Sequence, residues 1–257
     1  MKNTTSLLLL AGALLLSGCA TPPRDTLYQT STIDALLAGV YDGDLTCRDL
    51  LRHGDFGIGT FNRLDGEMIV LDGIVRQVRS DGRVLKPNLE TTTPFAAVCR
   101  FTPDRVVVLD QPGNLQAVEQ RLDLAEPDSN RFCAIRITGR FSLMKTRSVP
   151  PQSRPYPPLK AVTAHQPEFA MTNVEGTVVG FRCPPFVAGL NVPGYHLHFL
   201  GADGTRGGHI LAFELEQGVC ELDTLSQLFL RLPQPSTGFG RTDLSKDRSG
   251  ELKSVER

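Results

Sequence analysis

Three histidines in the C-terminal half of this 257-residue chain have the type and spacing of metal ligands. His196 and His198 are two residues apart in the apolar run Tyr195–Leu200, so in a strand both imidazoles leave the same face. The dipeptide Asp203-Gly204 predicts a two-residue type I′ hairpin turn, which places His198 opposite His209. Directly opposed residues have Cβ atoms about 4.5–5.5 Å apart. Three imidazoles on one hairpin face predict a metal site with an open coordination position, which is typical of catalytic zinc.

The alternative is structural, since a partly buried strand histidine can also be satisfied by hydrogen bonds to backbone groups. The predicted partner of His198 across the hairpin favours the metal site. Gly207 and Gly208 before His209 also fit a metal site, because residues without a side chain let another backbone or a ligand approach closely.

Glu67 and Thr60 form a second candidate group. Glu67 opens the strand-like run 67–71, at a position where a purely structural strand favours an apolar or β-branched residue. A hairpin through Asp65-Gly66 places Glu67 on the same face as Thr60. A glutamate on the solvent face of a strand gives the same pattern, so a structural role stays open.

Arg147 lies just before a cluster of prolines at positions 150, 151, 155, 157 and 158. Its guanidinium offers a planar, two-hydrogen-bond grip on a carboxylate. An arginine at a junction between sub-domains is equally compatible with a plain surface charge.

The elements that must position these residues follow from turns and from the spacing of apolar residues. Helical spacing indicates helices over residues 32–39 and 45–52, the second with Asp44 as N-cap and Gly54 as its stop. Three Asp-Gly turns between residues 56 and 85 predict an antiparallel meander. The remaining candidates are strands over 105–109, 132–143, 175–181, 195–200, 209–215 and 228–232, and a helix over 115–122.

This mixture predicts an α+β fold of two sub-domains, built on mixed or antiparallel β-sheets with a few flanking helices and with the metal site on a β-hairpin of the second sheet. The proline cluster interrupts any regular ladder and is the predicted boundary. The predicted organisation is a signal peptide over 1–18, a tether over 19–31, an N-terminal sub-domain over 32–149 and a C-terminal antiparallel-sheet sub-domain over 150–257. The polar stretch from Gln234 lacks an apolar period, which also suits a disordered tail.

The N-terminus predicts export. The chain begins with a positively charged residue, Lys2, which is followed by an apolar run from Leu7 to Leu16. The run is too short to span a bilayer, so this segment is predicted to be a signal peptide. The segment Leu16–Cys19 resembles a bacterial lipobox, in which Cys19 is acylated and becomes the first mature residue. We therefore expect a lipid anchor at the periplasmic face of a bacterial membrane. The alternatives are an ordinary secretory signal, or a cytoplasmic protein if the signal is not used.

The net charge and the spacing of the cysteines argue against several other classes of protein. A net charge of −1 gives no electrostatic footprint for nucleic acid, so we expect no such partner. The cysteines other than Cys19 have wide spacings that match neither a zinc finger nor a disulfide framework, which leaves one or two disulfides open: Cys47, Cys99, Cys133, Cys183 and Cys220.

Several motifs together resemble the bacterial α-acetolactate decarboxylases. They occur in the family's order: Gly57–Phe61, Leu64–Gly73, Lys145–Arg147, Gly194–Phe199 and Gly207–His209. The resemblance runs from about Thr30 to the C-terminus. It implies that His196, His198 and His209 bind zinc, and that Thr60, Glu67 and Arg147 line the same site.

The resemblance also implies a glutamate from the C-terminal tail at the metal, which we assign to Glu256 with Glu251 as the alternative. The implied reaction is zinc-dependent decarboxylation of the small molecule 2-acetolactate to (R)-acetoin, in the acetoin and butanediol pathway, without an organic cofactor. The lipobox departs from many members of the family, which look cytoplasmic. A homodimer is compatible with the sequence.

Two other functions are compatible with the residues alone. A zinc lyase or hydrolase resembling carbonic anhydrase also uses three histidines, and it gives Arg147 no role. A non-catalytic periplasmic metal-binding lipoprotein would bind zinc without turnover and would lose nothing when Glu67 is changed. Acetoin formation from racemic acetolactate, with and without a chelator, separates all three.

We expect the mature protein to partition with membranes and the Cys19→Ser variant to be released, because the acylated cysteine is the predicted anchor. Labelling with a fatty-acid analogue measures the modification directly. Soluble, unlabelled protein in the periplasm would show that the segment is an ordinary secretory signal.

Overall fold

The computed structural model describes residues 24–256. Its strands are β1 (Thr26–Thr30), β2 (Leu45–Thr46), β3 (Phe56–Thr60), β4 (Glu67–Leu71), β5 (Ile74–Val78), β6 (Val84–Leu85), β7 (Thr92–Thr93), β8 (Ala96–Cys99), β9 (Arg105–Asn114), β10 (Phe132–Arg147), β11 (Glu168–Cys183), β12 (Gly194–Gly201), β13 (Gly207–Leu225) and β14 (Gln227–Arg231). Its α-helices are α1 (Ile33–Leu37), α2 (Cys47–Leu50), α3 (Leu115–Ala125), α4 (Leu159–Thr163) and α5 (Ser249–Val255). The α+β prediction is confirmed, with sheets dominating.

Two sheets make up most of the fold. The first has the strand order β14-β1-β8-β3-β4-β5-β6, and only its β14–β1 pair is parallel. The second is antiparallel, with the order β10-β11-β12-β13-β9. Because β10 also pairs with β13, strands β10 to β13 close on themselves. A short β2–β7 pair lies apart from both sheets.

The predicted meander is confirmed by strands β3 to β6. Gly66, Gly73 and Gly82 have φ of 86°, 72° and 83°, which glycine adopts at no steric cost, so each Asp-Gly pair can reverse the chain. The β3–β4 register places Thr60 directly opposite Glu67, as the hairpin prediction requires.

Two sequence predictions in this region are wrong. Residues 26–30, assigned to the tether, form the largely buried strand β1. Residues 228–232 were expected in the second, antiparallel sheet, but β14 joins the first sheet in parallel with β1. The two errors have one cause. In the first sheet β14 pairs with β1, so a prediction that leaves β1 out of the fold gives β14 no partner in that sheet.

The N-cap predicted for the second helix is also wrong. Residues 45–46 pair with β7, so α2 begins only at Cys47, and the Thr46 hydroxyl accepts the Asp49 N–H at 3.0 Å. Asp44 instead accepts two hydrogen bonds from Arg231, at 2.8 and 2.9 Å, which tie the start of this region to β14.

Buried apolar side chains of the described residues form four clusters, one of which contains Met68. Phe141, Phe199 and Phe213 pack edge to face inside the closed part of the second sheet. Phe56 and Phe181 meet between the two sheets. A third cluster joins α1, α4 and α5.

The proline segment forms no β-ladder, as predicted. The strands before and after it nevertheless belong to the same sheet, so the sheets do not divide the chain at this point. The boundary at residues 149/150 separates β10 from β11, which are neighbours in one sheet. The sub-domain division therefore stays a prediction without support from strand pairing.

The described chain also bears on the predictions about disulfides and the membrane. The five cysteines in the described chain are free and buried. Between residues 24 and 256 there is no helix long and apolar enough to cross a membrane. The predicted signal peptide and Cys19 lie outside the described residues.

Candidate metal centre

The hairpin register predicted from Asp203-Gly204 is confirmed, although its turn type is not. β12 and β13 pair His198 with His209. Only Gly204 of the dipeptide has a positive φ, 68°, whereas a type I′ turn requires it at both central positions. The turn is instead closed by the Gly204 N–H, which donates to the Gly201 carbonyl at 2.8 Å, while the Asp203 carboxylate accepts the Thr205 N–H.

Three imidazoles converge on one face of this hairpin. The ring centroids of His196, His198 and His209 are 5.1–5.4 Å apart, and one nitrogen from each lies within 4.8 Å of the others. The predicted role of the two glycines is confirmed as well. A Cβ on Gly207 would lie 2.4 Å from the Phe199 carbonyl oxygen, and one on Gly208 would lie 2.4 Å from that of Arg147.

A backbone carbonyl of the first sheet orients the His198 ring. Its Nδ1 lies 3.0 Å from the Met68 carbonyl oxygen, so Nδ1 carries the proton and donates it. Nε2 is then an acceptor that faces the other imidazoles, buried and without a hydrogen-bond partner. This positioning contact was not predicted, because nothing in the sequence relates β4 to β12 in space.

Burial keeps the three rings neutral. Desolvation lowers the pKa of His196 to about 3, with a smaller contribution from the positive charge of Arg147. Desolvation likewise lowers the pKa values of His198 and His209 well below the usual range. Neutral imidazole is the form that binds a metal.

Two glutamates flank the histidines on different sides. Glu67 Oε2 lies 3.7 Å from His198 Nε2. Glu256 Oε2 lies 3.7 Å from His196 Nε2 and 3.8 Å from His209 Nε2, and it has no hydrogen-bond partner. Desolvation raises the pKa of each carboxyl to about 7, and Arg147 opposes the rise at both.

Arg147 and Thr60 complete the group. Arg147 pairs with His209 across β10 and β13, and its buried guanidinium lies 3.6 Å from Glu67. It also donates from Nη2 to the Val255 carbonyl at 3.0 Å, while its Nε has no partner. The Thr60 hydroxyl donates to the Gly66 carbonyl at 2.8 Å, which fixes the turn before Glu67.

The C-terminal tail is ordered, contrary to the disordered alternative, and it ends at the histidines. Leu252 and Val255 of α5, three residues apart, bury themselves against α1 and α4. That spacing was the sequence pattern that could have revealed the helix. Glu251 pairs with Arg248 at 3.0 and 3.1 Å, so Glu256 is the tail carboxylate that reaches the site.

The donor set fits a divalent cation. Three neutral imidazoles converge within reach of one ion, and two buried acceptor atoms beside them, His198 Nε2 and Glu256 Oε2, have no partner. A buried acceptor without a partner is costly, and a bound cation would satisfy both. Nitrogen and carboxylate ligands suit zinc but also other transition metals, so the residues fix the site and not the ion.

Known proteins resemble this chain in sequence and fold. The family described as alpha-acetolactate decarboxylase matches residues 27–246. A protein of that description from Methanosarcina mazei is 47% identical over 91% of this chain and 81% of its own length, and one from Klebsiella aerogenes is 42% identical over 91% and 90%. The crystal structure of the alpha-acetolactate decarboxylase from Bacillus subtilis strain 168 superposes with a TM-score of 0.87 at 38% identity, over 90% of this chain and 99% of that one.

We expect the His198→Ala variant to lose most of its bound metal, because it removes the ligand that Met68 holds in place. His165→Ala is the matched control, since His165 is exposed and stands outside the cluster. Metal analysis of the purified variants measures the effect. Full metal content in His198→Ala would contradict the three-histidine site.

Proposed function

This chain belongs to the alpha-acetolactate decarboxylase family of carboxy-lyases, and we propose that it works with zinc and forms (R)-acetoin from 2-acetolactate. One observation carries the proposal: three neutral, buried imidazoles lie between two carboxyl groups of raised pKa and one buried guanidinium. His196, His198 and His209 would hold the ion. A zinc ion there supplies Lewis-acid stabilisation of negative charge on the substrate oxygens.

The substrate is a β-keto acid whose carboxylate leaves from the carbon that also bears the hydroxyl. When that carbon–carbon bond breaks, carbon dioxide departs and the bonding electron pair moves onto the neighbouring ketone oxygen as an enolate. The enolate then takes one proton on carbon to give acetoin. The site must therefore bind an anion, stabilise a second oxyanion and deliver a proton.

Arg147 suits the first two tasks. Its charge is buried among strands, where Coulomb interactions are stronger than in water. The Nε–H has no partner and can donate to the carboxylate or to the enolate oxygen. Its Nη2 is held by the Val255 carbonyl, so the guanidinium is oriented before the substrate arrives.

A glutamate suits the third task. A carboxyl group with a pKa of about 7 retains a large protonated fraction at neutral pH and can act as a general acid. Glu67 stands beside His198, whereas Glu256 stands beside His196 and His209, so a proton from one of them reaches one face of the enolate. Delivery to a single face gives a single enantiomer.

Acetoin formation from racemic acetolactate, with and without a chelator, tests the proposal, and chiral chromatography identifies the enantiomer. Restoration of the chelated enzyme by zinc in preference to other divalent ions would support the metal assignment. A metal-loaded protein that forms no acetoin would overturn the proposal.

We expect Arg147→Lys to fold and to hold its metal, yet to lose most of its turnover, because an ammonium does not reproduce the fork of a guanidinium. Hydrogen bonds to charged groups contribute about 1.5–3 kcal/mol, so kcat/KM should fall about 10- to 100-fold. Steady-state kinetics together with metal analysis measure both effects. Near-parental kinetics would leave Arg147 with a structural role.

We expect Glu256→Gln to lower turnover about 100-fold or more, since it removes a candidate general acid at the histidines. Glu251→Gln is the matched control, because it changes the same type of side chain within α5 and disturbs only the partly buried contact with Arg248. Equal turnover in the two variants would exclude Glu256 from the chemistry.

A further inference from the structure

The two strands that carry the histidines separate at the His198–His209 pair, so His196 lies on the separated part of β12. β12 and β13 pair through His198–His209, Phe199–Gly208 and Leu200–Gly207, and their ladder ends there. The earlier part of β12 stays paired with β11, while β13 turns to β9 and β10. The closed part of the second sheet is therefore split next to the metal centre.

A cavity of about 870 Å³ lies at this split. Tyr195 and Leu197 line it from β12, and Ile210 and Leu211 line it from β13. The opposite walls come from α3, from residues 188–194 and from the tail over residues 245–256.

This cavity reaches the metal centre at two residues. His209 and Glu256 line both the large cavity and a small inner one of about 40 Å³ among the three histidines, Arg147 and Glu67. An inner void of this size has room for about one water molecule and not for a keto acid. The large cavity has the room that the inner one lacks, and His209 and Glu256 stand where the two adjoin.

We infer that the large cavity is the entrance through which a small 2-hydroxy-3-keto acid reaches the histidines, with His209 and Glu256, which line both cavities, at its inner end. The identity of the substrate rests on the proposed function, whereas the route rests on the strand split and the two shared residues.

The charges on the entrance wall do not favour long-range attraction of an anion. The wall carries cations and acids in similar number: Lys246, Arg248 and Lys253, against Asp34, Glu119, Asp247 and Glu256. Arg248 is moreover paired with Glu251. A balanced wall does not concentrate an anion.

Thiol labelling tests the route. Leu211→Cys places a thiol on the entrance wall, and the five natural cysteines of the described chain are buried. Leu124→Cys on the outer face of α3, where the leucine is 84% exposed, is the matched control. Each of the two variants is treated separately with methyl methanethiosulfonate and with a bulky aromatic methanethiosulfonate. The parent protein, treated in the same way, corrects for any reaction at Cys19.

Two rates are followed: removal of the bound metal by pyridine-2,6-dicarboxylate, and kcat/KM for acetoin formation. We expect the bulky adduct at position 211 to slow both about tenfold or more, the methyl adduct to slow them less, and the adducts at position 124 to change neither. Ala188→Cys on the facing wall should behave like Leu211→Cys, which guards against a folding defect in the latter.

The two readouts separate the entrance from the proposed function. Slower metal removal in a protein that makes no acetoin would support the entrance and overturn the function. Unchanged rates of metal removal and catalysis with the bulky adduct at both positions 211 and 188 would overturn the entrance.

Discussion

The pairing of His198 with His209 is the constraint on which the rest of the site depends. Side chains alternate between the two faces of a strand, so a shift of one residue would send His198 to the opposite face from His209. The same β13 register sets Arg147 beside His209 through β10, and the β12 register brings His198 to the Met68 carbonyl. One hairpin therefore carries the three histidines and meets groups from two other strands, Arg147 of β10 and Met68 of β4.

Burial sets the protonation states that the chemistry needs. Removing water lowers the pKa values of the histidines and raises those of Glu67 and Glu256, which favours the neutral form of each group. A neutral imidazole can bind a metal, and a neutral carboxyl can give up a proton. The nearby guanidinium of Arg147 limits the rise of the pKa at both glutamates. A single physical effect thus favours the neutral form of the three histidines and of the two glutamates.

Local patterns in the sequence predicted much of the fold and most of the site. The meander followed from three Asp-Gly turns, and the histidine register followed from counting back from Asp203-Gly204, even though that turn adopts another type. Contacts between distant segments could not be found in this way. The β1–β14 pair, the Met68 contact and the Arg147–Val255 hydrogen bond each depend on how the two sheets and the tail pack. The placement of Glu256 was implied by family resemblance, and the polar composition of the tail hid the helix that carries it.

The parallel β1–β14 pair has a consequence for the order of folding. Thr26 lies beside Gln227, so the first sheet joins segments about 200 residues apart, and Asp44 is tied to Arg231 in the same region. Contacts of such long range form late, because closing a long loop costs entropy that local hairpins do not face. During synthesis the β3–β6 meander can pair as soon as it emerges, and β1 can then join β8, but the other edge of β1 must wait until β14 has been made. A nascent chain of this protein therefore presents an unpaired edge for most of its time on the ribosome, which is the interval in which a chaperone would have the most to bind.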